Sequence, residues 1–178
     1  SNLPIELYKN HTALSQPGPR LRELSKKMKG TIPIHQNGGL DILHELSTRI
    51  LESIKYSKGK TDINTTAEIV MEIGAGVCQD HTHAFITSAR LLGFSSRYVS
   101  GYLSNGINET QVATHAWAEV YIIGLGWVGF DISNGISPDE RYVRLATGFD
   151  YADVIPISGI RIGNGEEQIK TEITFNQQ

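Results

Sequence analysis

Apolar residues along the chain change their period once, near Gly93. Before that point they recur every three or four positions. Leu21, Leu24 and Met28 follow Pro19 at helical spacing and stop at Gly30, which predicts a short helix with proline in its first turn. In the run DILHELSTRILESIKYS, Ile42, Leu43, Leu46, Ile50, Leu51 and Ile54 predict a longer amphipathic helix. Thr65 followed by Glu68 has capping-box spacing ahead of a brief helix that ends near Gly74. From Cys78 onward, Thr82, Phe85, Ala89 and Leu92 fall on one stripe, and Gly93 supplies the stop. Residues 1–20, closing on Gln16-Pro17-Gly18-Pro19, read as a surface arm.

Beyond Gly93 the pattern alternates. RYVSGYLS (97–104), HAWAEVYI (115–122) and GWVGFDIS (126–133) are rich in β-branched and aromatic residues and bounded by turn formers, as antiparallel strands are. RLATGFDYADVIPISG is less regular, with Pro156 limiting any strand near it, and EEQIKTEITF reads as a closing strand. Helices first and strands afterwards predict an α+β domain, with helices packed on one face of an antiparallel sheet.

The chain has 178 residues, 39% of them hydrophobic, enough for one domain with a substantial core. A formal charge of −3, with both signs interspersed, leaves no basic stripe for nucleic acid and no polybasic patch for anionic lipid. The single cysteine cannot form an internal disulfide, which favours a reducing, cytoplasmic setting. The chain opens on Ser1-Asn2 without methionine, so a native leader or upstream domain is expected to be missing.

That one cysteine lies in GAGVCQDHTH, after two glycines and at the predicted start of a helix. The positive end of the helix dipole favours a thiolate there, the nucleophilic form. Gly74 and Gly76 are expected to turn the chain sharply and to leave room for a substrate backbone. The alternative is a buried cysteine acting as a small hydrophobe. A nucleophilic cysteine needs a base, and the base needs a group to hold its ring. Strand alternation puts His115, Trp117, Glu119 and Tyr121 on one face, and Trp127, Gly129 and Asp131 on one face of the next strand. If three loop residues join the strands, Ile122 pairs with Gly126, and His115 and Asp131 become diagonal neighbours on a shared face. A two-residue loop would send Asp131 to the opposite face. Taken singly, His115 could be a hydrogen-bonded strand residue and Asp131 a turn former.

These residues carry a resemblance. GAGVCQDHTHAFITSARLLGFSSRYVSGYL, HAWAEVYIIGLGWVGFDISNG and GFDYADV together resemble the bacterial transglutaminase-like proteins of the papain-like cysteine superfamily, from about residue 38 to the C-terminus. The resemblance implies a papain-like α+β core within a single domain spanning 1–178, with 1–37 as an N-terminal arm and helix. It also implies an upstream β-rich domain in many relatives. Cys78 takes the position of the nucleophile, His115 that of its partner and Asp131 that of the residue orienting the histidine. Many relatives read Asp-Pro-Thr-Asn where this chain has Asp131-Ile132-Ser133-Asn134, and an aromatic often replaces His81; neither change touches the three residues.

The expected activity is acyl transfer on an amide of a protein or peptide through a thioester, as a peptidase, an amidase or a transglutaminase. The alternative is a peptide-binding module or scaffold with an unused triad. The backbone N–H of Cys78 is the expected oxyanion donor; Gln79, expected to point elsewhere on the helix, receives no role. No cofactor is expected. A metal site is disfavoured because His81 lies about one helical turn from Cys78 whereas His83 is turned roughly 140° away. His81 is therefore expected beside the pocket and His83 exposed. Trp117 and Tyr102 are candidates for a substrate groove or for sheet-face packing.

Overall fold

The computed structural model describes residues 3–30, 39–104 and 112–155. The helices are α1 (Pro19–Lys29), α2 (Leu40–Ser53), α3 (Ala67–Ile73) and α4 (Cys78–Leu91). They precede a four-stranded antiparallel sheet of β3 (Ser96–Ser104), β4 (Val112–Ile122), β5 (Gly126–Phe130) and β6 (Tyr142–Gly148), in the order β5-β4-β3-β6. The expected α+β architecture is present. The helical pattern does not reveal two short parallel strands, β1 (Lys55–Tyr56) and β2 (Ala75–Gly76), which join the end of α2 to the start of α4. The predicted closing strand at 166–175 lies outside the described residues. Among the described residues, no helix is long and apolar enough to cross a membrane.

Helix α4 is the centre of the molecule, packed by α1, α2 and α3 on one side and by β3 and β4 on the other. Every residue from Asp80 to Arg90 is buried as a result. Phe85 reaches the sheet, and its ring centroid lies 5.2 Å from that of Phe130 at the end of β5. Each fully buried side chain of this size contributes about 1.5–3 kcal/mol. The contact fixes the end of β5, immediately before Asp131, relative to the helix that begins with Cys78.

Three local expectations are corrected. Of the expected surface arm, the described residues from 3 onward are anchored to the body: Ile5–Lys9 forms a short 3-10 helix, and the buried Tyr8 stacks on Phe149 at 4.9 Å. Arg90 holds this segment down, donating from within the core to Tyr8 O, Ser15 Oγ, Ser96 O and Phe149 O. A guanidinium with several carbonyl acceptors replaces the water it loses. Secondly, the N-cap of α3 is Thr66 and not Thr65, because the helix starts one residue later. Glu68 is therefore free to cap another helix, and its carboxylate accepts from the backbone N–H groups of Gly18, Arg20 and Leu21 at the start of α1. Finally, residues 142–148 form the edge strand β6, paired to β3 with one register shift, where the sequence pattern from Arg144 onward is less regular.

Candidate active site

Gly74 is a left-handed residue with φ 68° that ends α3 and turns the chain toward Cys78, as expected. Gly76 acts differently. A Cβ there would lie 2.6 Å from Asp80 Cβ, so its absence accommodates Asp80 and not a substrate backbone. Asp80 Oδ2 accepts from Val77 N–H at 2.7 Å and from the Thr61 hydroxyl at 2.6 Å, which ties down the turn leading into α4. Cys78, half-buried, then opens the helix.

The β4–β5 hairpin has the three-residue connection, with Ile122 opposite Gly126. His115 and Asp131 therefore meet, Nε2 to Oδ2 at 2.6 Å. On its other side the imidazole shares the lining of one cleft with Cys78, whose side chain helps to raise its pKa. The structure thus brings all three residues together, from α4, β4 and the turn after β5.

Asp131 is fully buried and accepts five hydrogen bonds. Oδ2 takes His115 Nε2–H, Asn134 Nδ2–H at 2.7 Å and the Tyr142 hydroxyl at 2.7 Å. Oδ1 takes the Ser133 hydroxyl at 2.9 Å and Asn134 N–H at 3.2 Å. Burial alone would raise its carboxyl, but the donors and the His115 charge override it and hold it at about 2. For His115 burial pushes downward, and the hydrogen bonds to Asp131 and Cys78, with their charges, raise it to about 9. Raised to about 9, the ring is an imidazolium at neutral pH and donates to Asp131.

The sequence pattern does not reveal Tyr142, which opens β6 two residues ahead of the less regular stretch RLATGFDYADVIPISG. Besides its bond to Asp131, its ring lies edge-on to Trp117 at 5.4 Å and to His115 at 5.9 Å. Trp117 is itself buried and stacks behind His115 at 6.4 Å. Of the two groove candidates, only Tyr102 lines the open cleft beside Cys78.

That cleft has a volume of about 260 Å³ and is bounded by Cys78 and His115 together with Tyr98, Tyr102, Leu145 and Tyr151. Gln79 also borders it, contrary to the expectation that it points elsewhere. A larger hollow of about 380 Å³, lined by Arg20, Glu23, Lys27 and Arg49 of α1 and α2 and by Met71 of α3, shares no residue with that cleft.

The two further histidines of the cysteine motif point inward. His81 is fully buried, with Nδ1 2.8 Å from Val77 O and Nε2 2.9 Å from Ile54 O. His83, expected to be exposed, is also fully buried, because α4 is covered on all sides. Its ring packs on Tyr98 at 5.1 Å, its Nε2 accepts from Tyr151 N–H at 3.2 Å, and burial pushes its imidazole down to about 4. Among the described residues, no group of three or more His, Cys, Asp and Glu side chains is arranged to hold a metal ion.

Comparison with known proteins places this geometry. Residues 29–132 match the core of the transglutaminase-like superfamily. An uncharacterised protein of Mycobacterium tuberculosis is 35% identical over 144 residues, which cover 73% of this chain and 45% of that protein. One from Mycobacterium leprae is 32% identical over 128 residues, covering 68% and 45% respectively. The chain thus spans less than half the length of these curated relatives. Among solved structures, a candidate cysteine protease from Cytophaga hutchinsonii superposes with a TM-score of 0.72 at 28% identity, covering 85% of this chain and 49% of that one. The periplasmic domain of TgpA from Pseudomonas aeruginosa shares the fold, with a TM-score of 0.57 at 19% identity over 72% of this chain and 46% of that one.

Proposed function

Because the chain belongs to the transglutaminase-like superfamily, we propose that it is a cysteine enzyme acting on amide bonds of proteins or peptides, with Cys78, His115 and Asp131 as its catalytic triad. The observation that carries this reading is the His115 ring, hydrogen-bonded to the buried Asp131 carboxylate and lining the same cleft as the Cys78 thiol at the start of α4. Likeness to a candidate cysteine protease supports it.

The Cys78 thiolate attacks the amide carbonyl carbon, and the carbonyl π electrons move to oxygen. The first turn of α4, beginning with the Cys78 N–H, offers donors to that oxyanion. Collapse breaks the C–N bond, His115 gives its proton to the departing amine, and a thioester remains. Neutral His115 then removes a proton from water or from an acceptor amine, which attacks the thioester and regenerates the thiol. Water makes the protein a peptidase or amidase; an amine makes it a transglutaminase. Asp131 keeps the imidazole oriented throughout.

The test is intact-mass detection of an acyl-protein from a peptide amide, with and without an added primary amine. Wild type is expected to carry the acyl group on Cys78 and to pass it on. Neither Cys78→Ala nor His115→Ala should accumulate it. Equal acylation of wild type and Cys78→Ala would overturn the reading.

A further inference from the structure

The edge strand β6 carries an irregularity beside the cleft. Ser100 pairs with Ala146 and the next residue, Gly101, pairs with Arg144, so Leu145 is left without a partner in a β-bulge. Bulges re-aim side chains and recur next to active sites. Gly101 makes this one possible: a Cβ there would lie 2.1 Å from Val143 O and 2.6 Å from the Trp117 ring.

The bulge sends neighbouring side chains to different places. Arg144 reaches to Glu119, Nη1 to Oε1 at 3.1 Å. Leu145, 54% exposed, instead borders the cleft that contains Cys78 and His115. A lone exposed leucine is ordinary on a protein surface. This one stands at the wall of a concavity whose other described lining includes Tyr98, Tyr102 and Tyr151, and where, Cys78 and His115 aside, the described side chains are uncharged. Apart from Cys78 and His115 the lining offers amide and hydroxyl groups but no charge to pair with a charged substrate side chain, so such a side chain loses water without an ion-pair partner beside Leu145.

We propose that Leu145 is a specificity-determining residue, and that with Tyr102 and Tyr151 it forms a subsite for an uncharged, apolar side chain next to the amide presented to Cys78. The proposal rests on the reading of Cys78 as the nucleophile and adds the substrate class to it.

The experiment uses peptidyl acyloxymethyl ketones of one length whose residue next to the ketone is leucine, phenylalanine, lysine or glutamate. Modification of Cys78 is followed by intact mass, and each rate is divided by that of iodoacetamide, which has no side chain to recognise. Wild type is expected to prefer the apolar probes by about tenfold or more, the scale of discrimination that apolar contacts give. Leu145→Lys should erase that preference and raise the rate of the glutamate probe. Leu145→Ala should weaken the apolar probes without helping the charged ones. A wild type without preference, or a preference that both variants retain, overturns the subsite. Slow iodoacetamide labelling that His115→Ala leaves unchanged overturns the nucleophile reading, and the subsite with it. Fast, His115-dependent labelling without probe preference sinks the subsite alone.

Discussion

The turn entering α4 and the turn leaving β5 each bury an aspartate, and the two carboxylates behave in opposite ways. Asp80 is held by one hydroxyl and one backbone N–H, while its Oδ1 is buried with no hydrogen-bond partner. Burial dominates there and raises its carboxyl above the ordinary value of 3.8. Asp131 is buried as deeply, yet five donors, one of them a cation, hold it at about 2. Depth of burial therefore does not decide the charge state; the number and charge of the donors do. Asp80 is built to fix a turn, and Asp131 to stay ionised against an imidazolium.

Asp131→Ala should break this contrast most severely. It leaves His115, Tyr142, Ser133 and Asn134 without their shared acceptor, and removing one partner of a buried ion pair costs about 3–5 kcal/mol. Chemical denaturation should show a loss in that range. Asp131→Asn should keep more of the fold but cut acylation of Cys78 by about 10³–10⁴-fold, the scale seen when a triad histidine loses its orienting carboxylate.

Stability against pH should separate the two aspartates next. Asp131 is depressed from 3.8 to about 2, so its contribution is present above 3.8 and is lost as pH falls through about 2. His115 is raised from 6.5 to about 9, so its contribution is full below 6.5 and is lost as pH rises through about 9. Both shifts describe largely one interaction, worth on the order of 2 kcal/mol. Asp80, raised from 3.8, has the opposite sign to Asp131: its ionisation costs stability as pH rises past 3.8. Denaturation midpoints across pH should lose the acid-side fall in Asp131→Asn and the alkaline-side fall in His115→Ala.

Tyr142→Phe sharpens the comparison by removing one donor of five. It should cost about 1 kcal/mol, a typical net value for one hydrogen bond. The more basic Asp131 left behind should also move the His115 titration to higher pH. Loss of stability with an unmoved titration would leave Tyr142 with a packing role against Trp117 only. Asp80→Asn is the smallest expected change: less than about 1 kcal/mol near neutrality, with the His115 titration unaltered.

The legible and illegible parts of this site divide on similar lines. Helix α4 is legible from Phe85, Ala89, Leu92 and the stop at Gly93, because periodicity is local. The β4–β5 register stays open in the sequence between a two- and a three-residue loop until the pairing of Ile122 with Gly126 decides it. His83 was misjudged because a helical wheel shows which face is apolar but not that a second layer covers the polar one. Tyr142 and Leu145 were missed for a topological reason. Their strand pairs with β3, about forty residues earlier in the chain, and its bulge interrupts the alternation by which strands are recognised. Asp131 was read as a turn former or as a partner of His115, and the carboxylate does both, with Oδ1 binding the turn and Oδ2 the ring.

Cys78 and Asp131 together hold His115 as an imidazolium well above neutral pH. Nitrogen-15 NMR of the His115 ring across pH tests it most directly. The midpoint should fall near 9, with a downfield Nε2 proton marking the bond to Asp131, and should be lower in both Cys78→Ala and Asp131→Asn. A wild-type midpoint near the ordinary 6.5, unmoved by either substitution, would contradict it.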